Sequence, residues 1–306
     1  MRALISLAVL TVAFASPAAA QWGMRVEGSS SGLHPRSFGG AGVSADWDRC
    51  TNSERVLEPS VSIESCDRLL AENRSRSVSG GIYWYRAMRH HDAGQIDLYE
   101  ADLRRAGEVF GLDIEANPRS YDGYNNRAAV RTRLEEYEAA LADYDRAVAL
   151  ESNADFPHLG RGSVLFRRGD FRAASEAFDR AARIAARMNS TGPTHHSARC
   201  EVRAALREDL ERARSFCDRA VRNDDTPSYP LTSRGYYFFM QGDLDRAAAD
   251  FARAVEEDPY NAAALYGRGV VAVRQGRSAE GEADMTRARG MDRLDVEYYA
   301  NAGLTP

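Results

Sequence analysis

The sequence predicts an all-α protein in which about five to six helical hairpins stack into a solenoid, behind a small N-terminal unit. A similar block of residues recurs from about residue 120 onward, which is typical of a repeat array. Within each block, apolar residues follow i, i+3, i+4 and i+7 spacing on both sides of a glycine-containing turn, as expected for two antiparallel helices. One hairpin cannot bury its apolar surface alone, so the units are expected to stack. The equivalent alanines lie at steps of 34, 39 and 34 residues: Ala140, Ala174, Ala213 and Ala247.

The first residues of the chain have the pattern of an export signal. Arg2 precedes an apolar run over 3–15, and small residues occupy 18–20. The run is shorter than the roughly 20 residues needed to span a bilayer. We therefore expect residues 1–20 to be a signal peptide that is cleaved after Ala20, and the mature protein to be periplasmic or secreted. Residues 21–48 are rich in Gly and Ser without periodicity, which predicts a flexible linker.

Composition excludes several classes of function. The net charge is −5, a mild value that favours neither nucleic acid nor membrane insertion. All 40 basic residues are arginine, because the sequence contains no lysine. Mechanisms that need a lysine, such as a Schiff base or a P-loop ammonium, are therefore excluded.

No pattern of catalytic, metal-binding or cofactor-binding residues is found. The adjacent pairs His90-His91 and His195-His196 lack the i, i+4 spacing of a helical metal site, so solvated turn histidines are expected. Nucleophile elbows, P-loops and dinucleotide-binding glycine motifs are absent from the sequence. We therefore expect a protein that is not an enzyme and that has no metal and no cofactor.

The repeated residues resemble the tetratricopeptide (TPR) repeat. That family has Gly or Ala at position 8, Ala at 20, an aromatic residue at 24 and Ala at 27 of a 34-residue hairpin. The unit 228–261 carries Gly235, Ala247 and Phe251 at the first three of these positions. The unit 194–227 departs from the pattern, with Glu201 and Cys217 at positions 8 and 24. The in-phase units span 121–154, 155–188, 194–227, 228–261 and 262–295.

The flanking segments complete the expected array. A less regular hairpin covers about 80–118, and the end of the chain from Val296 fits a half-repeat that caps the solenoid. The unit 49–79, with two spaced cysteines around a Pro and an Ile, resembles the opening of exported proteobacterial TPR proteins. Five extra residues near 189–193 suggest a division into sub-arrays 80–188 and 194–306.

The four cysteines are expected to form two disulfides, because an even cysteine count in an exported chain favours pairing. Cys50 and Cys66 are the local pair of the 49–79 unit. Cys200 and Cys217 stand on the face where the other units carry Arg at position 7 and three of them carry Asp at position 23. A disulfide would thus replace an ion pair in the 194–227 unit. The alternative is two reduced, buried thiols.

The resemblance also implies a peptide-binding groove, lined by positions 2, 5, 9, 12 and 13 of each first helix. These positions are largely aromatic, with arginines at the edge, and such residues dominate binding hot spots. The carboxylate clamp of some TPR proteins is not supported, since lysine is absent and Ala129 stands where its Asn is required. The alternative is that the aromatic residues pack on neighbouring helices or on the linker. The candidate groove residues are Arg133, Phe156, Leu159, Phe166, Arg167, Tyr229, Tyr236, Phe239, Met240, Tyr266 and Arg274.

The function predicted from these features is a periplasmic adaptor or scaffold that binds a protein or extended peptide in the concave groove. The alternative is a structural module that associates with copies of itself and has no outside ligand. The identity of the partner is not predicted.

Overall fold

The computed structural model describes residues 41–52, 57–72, 75–225 and 227–306, and their side chains from residue 45 onward. The regular elements in these ranges are all α-helices, which confirms the predicted class. Residues 1–40, with the expected signal at 1–20 and the first part of the expected linker, lie outside them. The helices are α1 (Ala41–Thr51), α2 (Pro59–Ala71), α3 (Arg76–Asp92), α4 (Ile96–Ala116), α5 (Tyr121–Arg133), α6 (Tyr137–Leu150), α7 (Phe156–Arg167), α8 (Phe171–Arg187), α9 (Pro193–Leu206), α10 (Leu210–Arg222), α11 (Ser228–Met240), α12 (Leu244–Glu257), α13 (Ala262–Arg274), α14 (Ser278–Met291) and α15 (Arg293–Asn301).

The N-terminal unit is larger than the sequence predicts. Helix α1 begins at Ala41, inside the segment expected to be a linker up to residue 48. Trp47 explains the difference, because its side chain is buried and meets Tyr85 of α3 edge-on at 6.1 Å between ring centroids. The predicted Cys50–Cys66 disulfide is present and ties α1 to α2. Tertiary packing thus overrides the Gly- and Ser-rich composition here.

Six hairpins follow, each made of two consecutive helices from α3–α4 to α13–α14. Their phase is the one that the repeats predict. Glycines with positive φ, which side chains rarely adopt, end the first helix of four hairpins. These are Gly94, Gly169, Gly242 and Gly276.

Aromatic residues at position 24 fill the space between small residues of adjacent units. A Cβ atom built on Gly235 would lie 3.0 Å from the ring of Phe251, and one on Gly267 of the next unit would lie 2.4 Å from it. The ring of Tyr144 similarly approaches Gly160 of the following unit, at 2.2 Å from a built Cβ. Such distances leave no room for a larger side chain, so the glycines permit the close approach of the helices.

Ion pairs join the two helices of three regular hairpins, as the positions of Arg and Asp predict, whereas Arg161 of the unit 155–188 pairs with Asp145 of the preceding unit. Arg234 donates two hydrogen bonds to Asp250, at 2.7 and 2.8 Å. Arg127 pairs with Asp143, and Arg268 with Asp284, with the same separation of sixteen residues in the chain. In the unit 194–227 the Cys200–Cys217 disulfide stands in their place, which confirms the predicted substitution.

The extra residues before Pro193 do not interrupt the packing. Helix α8 has 17 residues, whereas α6 and α12 have 14 each, so part of the excess is an additional helical turn. One cluster of buried apolar side chains continues across this position, from Leu159 to Leu304. Among the residues described, no helix is both long and apolar enough to cross a bilayer.

Candidate binding groove

The first helices of the hairpins form the inner face of the solenoid, and each packs on the next one. These helices are α5, α7, α9, α11 and α13. The end of the chain, residues 292–306, lies against this face, and we call it the terminal segment. Its helix α15 contacts α7 and α13 in addition to α14. The expected capping half-repeat is therefore corrected: the terminal segment turns back into the groove instead of extending the stack. Polar and aromatic residues of the inner face, described below, account for this course.

Two arginines anchor the beginning of the terminal segment. Arg133, the last residue of α5, donates to the Asp292 carboxylate at 2.7 Å and to the Tyr99 hydroxyl at 2.7 Å. Arg167, the last residue of α7, donates to the backbone carbonyl of Leu294 at 2.7 Å and to Asp295 at 3.2 Å. Both guanidinium groups are buried, so these charge-assisted bonds compensate for their desolvation.

A buried carboxylate receives the middle of the terminal segment. Glu201 of α9 is fully buried and accepts hydrogen bonds from the hydroxyls of Tyr298 at 2.8 Å and Tyr299 at 2.6 Å. Tyr229 and Ser233 of α11 also donate to it. Four hydroxyl donors thus converge on two carboxylate oxygens, which satisfies a charge that would otherwise be costly to bury.

Aromatic stacking accompanies these bonds. The ring of Tyr298 lies on Phe166 with centroids 4.4 Å apart, and Arg167 lies over its face at 5.0 Å. Between the terminal segment and the inner helices, a cavity of only about 40 Å³ remains beside Tyr229 and Asp295. The groove is therefore almost completely filled along this stretch.

The last residues of the terminal segment are held by backbone hydrogen bonds and by the buried side chains of Ala302 and Leu304. The Tyr236 hydroxyl donates to the carbonyl of Ala302 at 2.7 Å, and Arg274 donates to that of Thr305 at 3.1 Å. An open cleft of about 440 Å³ lies here, lined by Phe239, Met240 and Arg274 among others. This rim of the groove stays accessible.

The predicted groove residues divide into two sets. Those that bind or adjoin the terminal segment share the inner face and are Arg133, Phe166, Arg167, Tyr229, Tyr236, Phe239, Met240 and Arg274. The structure places Leu159 and Tyr266 within the buried apolar cluster, with Phe156 partly buried against it. These three residues therefore pack on neighbouring helices.

Sequence reasoning missed Glu201 on the groove side of this interface and the interacting residues of the terminal segment. Glu201 stands at position 8, where the other units have Gly or Ala, and a carboxylate at a small-residue position is the signal that could have identified it. Asp292, Asp295, Tyr298 and Tyr299 were part of an expected cap. Their spacing of three and four residues, which places them on one helical face, was the available signal.

Burial and charge shift the pKa values of the two key carboxyl groups in opposite directions. Burial raises the pKa of Glu201 above its usual range, although the hydroxyl donors oppose the change. Burial also disfavours ionisation of Asp292, but the charges of Arg133 and His91 outweigh it and lower the pKa of Asp292 to about 2. The Asp292–Arg133 ion pair is thus present at neutral pH.

His90, His195 and His196 are buried and His91 is half-buried, which corrects the expectation of solvated turn histidines. The His195 side chain pairs with Asp155 at 2.9 Å, and His90 hydrogen-bonds Gln95 at 2.6 Å. His91 lies 3.6 Å from Asp292, at the start of the terminal segment. In the described part of the chain, no group of three or more His, Cys, Asp or Glu residues is arranged to hold a metal ion.

Comparison with known proteins identifies the fold. Residues 232–295 match the tetratricopeptide repeat family. A TPR protein from Parabacteroides merdae ATCC 43184 aligns with a TM-score of 0.54 and 15% identity, over 86% of this chain and 99% of that one. The fold is therefore that of a TPR solenoid.

Curated relatives match over shorter stretches. Protein SGT1 homolog of Oryza sativa subsp. japonica is 28% identical over 78 residues, which are 26% of this chain and 21% of that protein. DnaJ homolog subfamily C member 3 of Mus musculus is 24% identical over 127 residues, which are 42% of this chain and 24% of that protein. The match thus spans about a fifth to a quarter of the length of these relatives.

Proposed function

We propose that this protein, built on a TPR fold, is a scaffold for protein–protein interaction that binds a protein or an extended peptide along its inner groove. The observation that carries the proposal is the mode in which the groove holds residues 292–306. Arg167, Tyr236 and Arg274 bind backbone carbonyl groups, which every polypeptide offers. Arg133 and Glu201 add side-chain recognition. A surface with these properties is suited to holding a segment of polypeptide.

Site-specific photo-cross-linking in the source cells tests the scaffold function. A photoreactive amino acid is placed at Phe239 or Arg274 on the accessible rim, and at exposed Arg253 of α12 as a matched control. We expect a discrete adduct with another protein from the rim positions and none from position 253. Adducts only with a second copy of the chain would favour a self-associating module instead. Equal labelling at all three positions, or none, would contradict a role of the groove.

We further propose that the protein acts outside the cytoplasm, in the periplasm or secreted. The pattern of residues 1–20 supports export, and two buried disulfides suit an oxidising compartment. Mass spectrometry of the mature chain from fractionated cells is expected to find it in the envelope or medium, beginning at Gln21 and without free thiols. A full-length chain in the cytosol with reduced cysteines would refute this localisation.

A further inference from the structure

We propose that the terminal segment is a displaceable occupant of the groove, and that the outside ligand is a helical segment of the same chemistry which replaces it. That chemistry is two carboxylates one turn apart, followed by a tandem pair of tyrosines. The inference rests on the proposed scaffold function and specifies both the partner class and the control of the same site.

The first support is the polarity of the contact. The terminal segment contributes apolar side chains such as Val296 and Leu304 to the buried cluster, as any core helix does. In addition, it meets three buried charged groups on the receptor side, Arg133, Arg167 and Glu201. Each pairs with a polar group of the terminal segment. Interfaces that recognise a specific segment have this directional pattern, because a mismatched ligand would leave a buried charge unsatisfied.

The second support is the spacing of the bound side chains. Asp292 and Asp295 are one helical turn apart and face Arg133 and Arg167. Tyr298 and Tyr299 follow one further turn along, and both hydroxyls reach Glu201. A ligand therefore needs its acidic and tyrosine groups on one side of a helix at this interval. Phenylalanine in place of tyrosine would keep the stacking on Phe166 but leave Glu201 with fewer donors.

The third support is the connection of the terminal segment to the array. Asp292 alone separates α14 from α15, in an extended conformation with φ −147° and ψ 99°. Asp292 is held by Arg133, which is 159 residues away in the chain, and from there α15 runs past Arg167 to Glu201. One residue thus connects the terminal segment to the array, and this short tether keeps its effective concentration at about millimolar or above. An outside ligand must compete with this tethered segment, so the intact protein binds it weakly.

A peptide-binding measurement on the full-length, oxidised protein tests the proposal. The probe is a fluorescent peptide with the sequence of residues 292–306, and the opened variant is Tyr298→Ala/Tyr299→Ala, which changes only the terminal segment. Asn301→Ala, an exposed position of α15, is the matched control. We expect the probe to bind the opened variant at least tenfold more tightly than it binds wild type or the control.

The ligand class is tested with two further changes. A probe with phenylalanine at both tyrosine positions is expected to bind the opened variant about tenfold more weakly, since it leaves a buried carboxylate short of donors. Adding Glu201→Gln to the opened variant should remove most of that difference, as a double-mutant cycle requires when the tyrosines and Glu201 interact directly. Equal affinity of both probes would overturn the assigned chemistry.

Displacement itself would be overturned if wild type and a folded opened variant bound the probe equally, or if neither bound it. Folding of the opened variant is checked by its helical content and cooperative unfolding. If that variant does not fold, hydrogen exchange in the wild type decides: α15 amides are expected to exchange faster than those of α11. Exchange of α15 only with global unfolding would make the segment a permanent part of the core. If displacement fails but the rim positions still cross-link to another protein, the scaffold function stands without displacement. If α15 is displaceable but no cross-links form, only the scaffold function is refuted.

Discussion

Neighbouring hairpins of the array, 194–227 and 228–261, hold their two helices together by different chemistry. In 228–261, Phe251 packs beside Gly235, and Arg234 pairs with Asp250. In 194–227 both devices are missing, and a disulfide joins the helices. The equivalent residues of that hairpin are Cys200, Glu201, Phe216 and Cys217.

The difference between these hairpins indicates what the departure from the repeat pattern achieves. The small-residue position of the regular unit serves packing alone, whereas Glu201 at the same position faces the terminal segment and binds two of its tyrosines. A carboxylate there removes the close aromatic packing, and the covalent bond restores the connection. The least regular unit is therefore the one that makes the most specific contact in the groove.

Among the changes to these two kinds of hairpin, removal of the disulfide should lower the free energy of unfolding most. The Cys200→Ala/Cys217→Ala variant loses a cross-link that spans 17 residues, and the chain-entropy estimate for such a loop is about 3 kcal/mol. We expect a decrease of this size in the free energy of unfolding, measured by urea denaturation under oxidising conditions. A loss no larger than that of an ion pair would show that apolar packing, not the disulfide, holds this hairpin.

A glycine of a regular hairpin tests the other half of the comparison. A Cβ atom on Gly162 would lie 2.5 Å from the ring of Phe178, so Gly162→Ala must displace a buried aromatic side chain. We expect a destabilisation of about 1–3 kcal/mol, as for other overpacked cores.

Gly290→Ala is the matched control for that substitution, since a Cβ built on this helical glycine would meet no atom within 4 Å apart from its chain neighbours and the backbone of its own helix. It should stabilise the protein by up to about 1 kcal/mol through helix propensity. Thermal and urea unfolding of both variants measure the difference. If both substitutions stabilised the protein, close packing against Phe178 would not be the reason for glycine at position 162.

The pH dependence of Glu201→Gln sharpens the role of the buried carboxylate. Burial raises the pKa of Glu201 in the folded state, so its contribution is fully present below the unfolded pKa and is lost as pH rises through the folded value. Glutamine does not titrate. The stability of wild type relative to the variant, measured by urea denaturation at each pH, should therefore decrease as pH rises above the unfolded value of 4.5. A constant difference would contradict the raised pKa.

Asp292 has the opposite dependence and does not disturb that measurement. Its pKa is about 2 in the folded state, so its contribution is present above the unfolded value of 3.8 and is lost as pH falls toward 2. Above the Glu201 value of 4.5 it remains mostly ionised in both states. The two carboxyl groups can thus be separated by the pH range alone.

The hairpins could be predicted from the sequence because their determinants are local and repeated. Gly turns, apolar spacing and the Arg–Asp positions act within one unit, and each recurs often enough to be recognised. The course of the terminal segment depends on single residues that are far apart in the chain, such as Arg133 and Asp292. Such a pair produces no periodic pattern in the sequence. The groove residues were found through their repeat positions, whereas Glu201 was overlooked because it breaks the pattern that identified the others.

The ion pair of a regular hairpin should show the smallest effect. Arg268 and Asp284 form two hydrogen bonds of 2.6 and 2.9 Å, but a third of the Arg268 side chain is exposed, at 33%. Pairs with this exposure contribute about 0–1 kcal/mol and are screened by salt. A double-mutant cycle with Arg268→Ala and Asp284→Ala, in low and high salt, should give a coupling energy in this range that decreases as salt is added. A coupling energy near 3 kcal/mol would make the ion pair equal to the disulfide, and the strength of the bond could not then explain why cysteines occupy the 194–227 unit.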